Sequence, residues 1–411
     1  MRERGFSRRE FLAAAAGLPL AALSPGAAEA SLGRSVPAGG DDYWAELLAR
    51  APTAKFWVGL KGGGSGCGTC HEAPSEKKEF QHDSEYVRCE LCARRCILAE
   101  GERGLCRARI NVDGRLRSLV YGRPVAVHLD PIEKKPFYHF LPGSNAFSLS
   151  TTGCPLRCKF CQNWELSQAR PEDYEVRFTP PEAIVEAGRR RKAPVIAFTY
   201  NEPTVFTEYL LDIAARARKE RISSVLVSCG FMNPEPLDAM CDALQAIKID
   251  LKGFSEGFYR EVCGAELAPV LRTIRHVAGR KVHLEIVNLV VPTLNDSERM
   301  LRELARWVVN EVGPDVPVHF TRFHPDYRLR NLPPTPVKTL ERAYAIAREE
   351  GLHYPFVGNV PGHPGNHTYC PNCGCRVIER QGFFVVRNRL KEGACPDCGT
   401  AIAGVWRSPL S

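Results

Sequence analysis

"TTGCPLRCKFCQNW", residues 151–164, places Cys154, Cys158 and Cys161 at spacings of three and then two intervening residues. Structural zinc sites take four protein ligands and disulfides take even numbers of cysteines, so a group of three points elsewhere. Thiolates are the usual ligands of iron–sulfur clusters, and three of them on a four-iron cluster leave one iron without a protein ligand. That vacancy resembles the open position of a catalytic zinc, which belongs to water or substrate. The bland alternative is a structural zinc completed by a distant fourth ligand.

The surroundings of the triplet set the fold. From Ala146 onward, short apolar runs ("AFSLST", "PVIAFTY", "SSVLVSC", "AIKIDLK", "VHLEIVNLVV", "VPVHFTRF") alternate with helical stretches. The predicted helices are Pro181–Arg191, Thr204–Glu220, Pro236–Leu244, Pro269–Ala278, Ser297–Glu311 and Val337–Glu349. In the second of these, Phe206, Tyr209, Leu210, Ile213 and Ala217 repeat near a period of 3.6 and line one face. Strand–helix alternation repeated six times means parallel β/α units. Six units fall short of a closed eight-stranded barrel, so the expected architecture is α/β, a partial, open (β/α)6 TIM-like barrel over residues 146–362, with "HYPFVGNV" as a candidate closing strand. In such sheets the chemistry gathers at the C-terminal ends of the strands. The triplet directly follows the first one.

At this point the sequence resembles the radical S-adenosylmethionine (SAM) superfamily, whose signature is the C-x3-C-x2-C triplet with an aromatic residue, here Phe160, before the last cysteine. It is similar to pyruvate formate-lyase activating enzymes. It is more similar still to the AmmeMemoRadiSam system radical SAM enzyme family, through "DPIEKKPFYHFLPG", "GCPLRCKFCQNWELSQ", "TYNEPT", "IDLKGF", "NDSE" and "FHPDY". The resemblance implies that Cys154, Cys158 and Cys161 hold a catalytic [4Fe-4S] cluster whose open iron chelates SAM. One electron then splits a carbon–sulfur bond, and the resulting 5′-deoxyadenosyl radical abstracts hydrogen from a substrate. It further implies cofactor-binding roles for Phe160, Glu202, Asp250, Lys252, Asn288 and His324. Tyr200 and Asn201 stand where related enzymes carry glycines ahead of the Glu202 position. Each residue also has a bland reading: Glu202 before Pro203 as a helix cap, Asp250 and Lys252 as a surface pair, His324 as an ordinary packed histidine. The implied partners are an electron donor such as flavodoxin or ferredoxin and a Memo-type protein.

The chain has 17 cysteines, and apart from Cys229, Cys241 and Cys263 they fall in or beside tight groups, which favours metal over loop-stapling disulfides. Upstream of the barrel, residues 89–145 open with Cys89, Cys92, Cys96 and Cys106, a four-thiolate site for a second iron–sulfur cluster or for zinc. At the other end, residues 366–411 carry Cys370-x2-Cys373 and Cys395-x2-Cys398, each pair followed by glycine. Two knuckles around strand-like "RVIERQGFFVVRNRL" read as a zinc ribbon with a structural lid or docking role. Residues 31–88 are rich in Gly, Ala, Ser and charge, with a helical candidate at Asp41–Arg50. They read as a flexible segment that contains Cys67, Cys70 and His71, the CxxCH pattern of c-type haem attachment.

Residues 1–30 carry paired Arg8 and Arg9, an apolar stretch and a small-residue cleavage pattern at Ala28–Ala30, a twin-arginine signal. If the leader is used the protein is exported to the periplasm or cell envelope; otherwise it is cytoplasmic. A net charge of +8, thinly spread, fits solubility and does not call for nucleic acid. After the leader no apolar run is long enough for a membrane span. Two rival functions remain: an exported multi-cluster, haem-bearing electron-transfer protein without SAM chemistry, and a zinc-dependent interaction module. Electron transfer has no use for Glu202, Asp250 and Lys252, and this separates the readings.

Overall fold

The computed structural model describes residues 41–61, 65–66 and 86–410. The twin-arginine leader and the CxxCH motif at Cys67, Cys70 and His71 lie outside the described residues.

Eight strands form one sheet: β1 (Ala126–Pro131), β2 (Asn145–Ser150), β3 (Val195–Phe198), β4 (Ser223–Ser228), β5 (Ala246–Asp250), β6 (His283–Val290), β7 (Val318–Arg322) and β8 (Pro355–Gly358). They lie in the order β8-β7-β6-β5-β4-β3-β2-β1, with the two ends unpaired, so the barrel is open. Strands β2 to β8 are mutually parallel. The helices α1 (Pro181–Arg190), α2 (Thr207–Lys219), α3 (Pro234–Ala243), α4 (Leu267–Ala278), α5 (Glu298–Glu311) and α6 (Val337–Glu349) fill the crossovers. Strands such as β3 and β8 are buried throughout, because helices cover one face and the barrel interior the other. The six β/α units expected from the alternation are present, and "HYPFVGNV" supplies the closing β8.

The sheet also holds a strand from outside the alternation, in "LRSLVYGRPVAVHLD", a stretch that reads as one or two strands in the sequence. β1 pairs antiparallel with β2, Ala126 opposite Ser150 and Pro131 opposite Asn145. Helix starts differ from expectation for local reasons. The stretch Pro203–Phe206 forms a 3-10 turn before α2, because Glu202 caps it. Helix α3 begins at Pro234, since first-turn N–H groups have no intrahelical partner and proline loses nothing there. Helix α5 starts where Ser297 accepts from the Met300 N–H at 3.3 Å.

Between β1 and β2, residues 132–143 plug the N-terminal end of the barrel. Ile132, Phe137 and Phe140 pack against Ala146, Val195, Val225 and Ala246, the residues that open or lead into the parallel strands. The backbone N–H groups of Tyr138 and His139 donate to Glu285 on β6, at 2.9 and 2.8 Å. The C-terminal module, with strands at Arg376–Gln381 and Phe384–Asn388, is fastened to this plug. Val405 exchanges backbone hydrogen bonds with His139 and Leu141, and Arg380 donates to the Tyr138 carbonyl at 2.7 Å. The N-terminal cysteine module docks at the opposite end, on the loop after β4. There Asn233 donates to the carbonyls of Glu90 (2.7 Å) and Cys92 (3.1 Å), and Cys92 bridges to Met232. The two cysteine modules therefore cap opposite ends of one barrel.

Candidate active site

The three-cysteine loop leaves β2 through Gly153, whose φ of +96° suits glycine. A Cβ there would lie 2.4 Å from the Cys106 carbonyl oxygen, so no side chain fits. The loop is held by backbone pairing to a π-turn at Tyr259–Cys263: Arg157 N–H donates to the Cys263 carbonyl at 2.8 Å, and Lys159 N–H to that of Val262 at 2.9 Å. Such turns favour functional sites because they re-aim a short stretch of backbone. The Arg157 guanidinium donates to the carbonyls of Cys154 and Leu156 at 2.8 and 2.9 Å, fixing the loop from within. Burial pushes the thiols of Cys154 and Cys161 up, whereas a hydrogen bond with Cys263 and the nearby Lys252 bring Cys158 down. Thiols kept protonated by burial give up protons when iron binds, so loading is coupled to proton release.

Around this loop the structure gathers the strand-end residues. Glu202, 3% exposed, accepts from Thr204 N–H (3.2 Å), Thr204 Oγ1 (2.5 Å), Ser228 Oγ (2.8 Å) and Cys229 N–H (2.7 Å). The capping role is realised, and the same carboxylate ties the end of β3 to the end of β4. At the end of β5, Asp250 pairs with Lys248 and, at 3.2 Å, with Lys252. Burial works against its charge, but the two ammonium groups outweigh it and hold the carboxyl near 2. Lys248 is buried and Lys252 half-buried, so this is a built charge cluster rather than a surface pair. Lys252 also lies 5.9 Å from the ring centroid of Phe160, which is buried and stacks on Phe258 at 6.2 Å.

Asn288 on β6 donates to the Leu251 carbonyl at 2.8 Å, while its buried Oδ1 has no partner. The same is true of Asn201 Oδ1 and Thr152 Oγ1, both beside Gly153, whose carbonyl accepts from Asn201 Nδ2 at 2.9 Å. Unpartnered atoms also occur elsewhere in the fold, at Ser118, Ser223 and Ser224 among others, so it is the place of these three near Gly153 and Lys252 that suits a polar ligand. SAM, with amino, carboxylate and ribose groups, supplies that chemistry beside the cysteines. His324, two residues beyond β7, is exposed.

The structure gives roles to residues for which the sequence suggested none, including Tyr200, noted there only as a departure from glycine. Tyr200 has φ +71°, a conformation uncommon for a bulky side chain. Its hydroxyl donates to Asp130 at 2.7 Å and accepts from Lys135 at 3.2 Å. Burial lowers Lys135 to about 8 although Asp130 pulls it the other way. Asp130 and Lys135 belong to "DPIEKKP", which carried a resemblance but no structural role. Lys248, a lysine in the middle of an apolar strand, was a signal in plain view. Cys229 and Cys263, isolated in the sequence, both lie at the site.

At the barrel's far end the sulfurs of Cys370, Cys373, Cys395 and Cys398 all lie within 4.8 Å of one another, with Cys370 to Cys398 at 3.5 Å and Cys373 to Cys395 at 3.7 Å. A tetrahedral zinc with bonds of about 2.3 Å sets its sulfurs about 3.8 Å apart, so the four are arranged for one metal ion.

Comparison with known proteins agrees with this geometry. Residues 148–308 match the model of the radical SAM superfamily. The protein MJ0808 of Methanocaldococcus jannaschii, itself described as uncharacterized, is 44% identical over 322 residues, covering 78% of this chain and 96% of the relative. The chain belongs to the radical SAM superfamily. This radical SAM enzyme is distantly related to the glycyl-radical activating enzymes. It is 24% identical over 200 residues to the pyruvate formate-lyase-activating enzyme of Clostridium pasteurianum, covering 44% of this chain and 80% of that one. Among solved structures, a domain of the pyruvate formate-lyase-activating enzyme of Bacteroides vulgatus superposes with a TM-score of 0.36 at 18% identity, over 40% of this chain and 98% of that chain. Among the described residues no helix is long and apolar enough to cross a membrane.

Proposed function

We propose that this radical SAM enzyme cleaves SAM reductively and abstracts hydrogen from a substrate that is itself a protein, in the manner of the glycyl-radical activases and within an AmmeMemoRadiSam-type system. The observation that supports the reading is the three-cysteine loop at the end of β2, with the strand-end residues Asn201 and Asn288 and the neighbouring Thr152 each keeping a buried oxygen without a protein partner. Cys154, Cys158 and Cys161 would hold a [4Fe-4S] cluster with one iron left for SAM. When bound, the cluster and SAM supply one-electron cleavage of a carbon–sulfur bond and a primary carbon radical.

The chain's own residues bind and orient. Lys252 offers an ammonium to the SAM carboxylate, Asp250 a carboxylate to the ribose hydroxyls, and Asn288 its open carbonyl oxygen to a donor. Glu202, already anchored by four hydrogen bonds, presents its carboxylate toward the amino group. Phe160 would shield the cluster side of the pocket, and His324, exposed beyond β7, would close its mouth. Reduction would come from a flavodoxin- or ferredoxin-type donor, and a Memo-type protein is the proposed partner. The C-terminal four cysteines would hold a structural zinc, and export by the twin-arginine route would deliver the loaded enzyme to the cell envelope.

Anaerobic reconstitution followed by dithionite and SAM tests the reading, with 5′-deoxyadenosine as the readout. Product should form in the wild type and be abolished in Cys158→Ala. Fully iron-loaded protein that yields no 5′-deoxyadenosine above that variant would overturn it.

A further inference from the structure

A second set of sulfurs meets outside the catalytic loop. Cys89 ends a strand at Tyr86–Cys89, Cys92 and Cys96 follow in the turn after it, and Cys106 arrives from the next loop. All four line one cavity, together with Arg109 and with Pro155 of the catalytic loop. Among the described residues, this lining contains no carboxylate and no imidazole, so its ligand chemistry is all sulfur.

The chain carries its own ruler for what such a site holds. Among the described residues, the C-terminal four cysteines are the group whose ligand atoms all lie within 4.8 Å of one another, the spacing of a single metal ion. Cys89, Cys92, Cys96 and Cys106 share a cavity but do not form such a single-ion group. Neither do Cys154, Cys158 and Cys161, the loop proposed above to hold a four-iron cluster. A cube of iron and sulfide separates its cysteines further than one zinc ion does.

Arg109 supplies a second, independent observation. It is 1% exposed, and Glu208 and the Lys55 carbonyl take its two terminal nitrogens, the latter at 2.8 Å. Its Nε–H is buried without a partner. A buried donor on the wall of an all-cysteine cavity fits a hydrogen bond to a cluster sulfur, an interaction that tunes such clusters.

We propose that Cys89, Cys92, Cys96 and Cys106 hold a second four-iron cluster in which every iron carries a cysteine. Full ligation closes this cluster to SAM. It shares a wall with the catalytic loop: Arg94 donates to the Pro155 carbonyl at 3.1 Å, and the Cys106 carbonyl abuts Gly153.

The test uses the full chain with Cys154, Cys158 and Cys161 all changed to Ala, reconstituted anaerobically with iron, sulfide and zinc. The expected content is about four iron and about one zinc per chain. The dithionite-reduced paramagnetic signal should be unchanged by added SAM. No iron and two zinc ions would overturn the proposal, and so would a signal that shifts with SAM. The wild type separates the same alternatives without any substitution: about eight iron with one zinc supports the proposal, and about four iron with two zinc refutes it. These counts are independent of whether SAM is cleaved.

Discussion

Arg380 is where the C-terminal module is bolted to the barrel, and Arg380→Met tests that junction. The side chain is fully buried and donates to the carbonyls of Tyr138 (2.7 Å) and Asn366 (3.2 Å) and to Thr368 Oγ1 (3.0 Å). It also lies 3.8 Å from Glu133, which is buried as deeply. Methionine keeps most of the bulk and removes every donor. A buried acceptor left without a partner costs about 1–3 kcal/mol, and breaking a buried ion pair about 3–5 kcal/mol, but losses within one network do not add. Glu133 limits the damage. Burial lifts its carboxyl to about 7 even with Arg380 opposing, so without the guanidinium it takes up a proton. We therefore expect a loss of about 3 kcal/mol at pH 6, where protonation is easy, and about 1 kcal/mol more at pH 8.5. Urea denaturation of the zinc-loaded protein, followed by far-ultraviolet circular dichroism at both pH values, measures the loss. Limited proteolysis shows whether the module detaches first. The double variant Glu133→Gln/Arg380→Met should lose the extra cost at high pH. An Arg380→Met protein within about 0.5 kcal/mol of wild type at both pH values would refute the reasoning. A double variant as pH-sensitive as the single would do the same.

Glu133 makes a prediction by itself. Its folded pKa is raised above the ordinary 4.5, so the native state binds the proton more tightly, and the stability this provides is lost as pH climbs from about 4.5 toward 7. Glu133→Gln should remove that slope, with a difference on the order of 3 kcal/mol between pH 5 and pH 8 in thermal or urea unfolding. Asn288→Ala removes the open buried oxygen at the SAM site and should weaken SAM binding to the reconstituted protein about 5–10-fold, measured by equilibrium dialysis, with iron content unchanged. Cys373→Ala with Cys398→Ala should take the zinc content from about one per chain to none while iron content holds, because the module docks at the end of the barrel opposite the catalytic loop. Gly153→Ala, forced against the Cys106 carbonyl at an unfavourable φ, should cost about 2 kcal/mol and lower iron uptake in a colorimetric assay.

Much of the site was legible locally. A cysteine triplet is a statement about spacing, and spacing survives without a fold. The same holds for the two C-terminal knuckles, whose four sulfurs converge as their pattern implied. Strand–helix alternation revealed the barrel units because burial on both faces writes apolar runs into the sequence. Strand β1 was legible as a strand in "LRSLVYGRPVAVHLD", but not its place in the sheet, because it pairs antiparallel at an edge and shows two exposed residues. The role of Tyr200 was not legible because its bonds to Asp130 and Lys135 join residues 70 and 65 positions apart.

The sequence by itself determined which residues carry chemistry: three thiolates short of a fourth ligand, two sets of four, and polar residues placed at strand ends. Tertiary structure alone decided how these are arranged. It set one cysteine module over the catalytic loop and the other beneath the barrel. It turned "DPIEKKPFYHFLPG" into the plug between the barrel and the C-terminal four-cysteine module, and drew Cys229 and Cys263, each solitary in the sequence, to the three-cysteine loop. The physical reason is that ligand spacing is a short-range property of the chain. Burial, the width of a sulfur-lined cavity and the partner left to a buried charge are set by segments that meet only when the barrel folds.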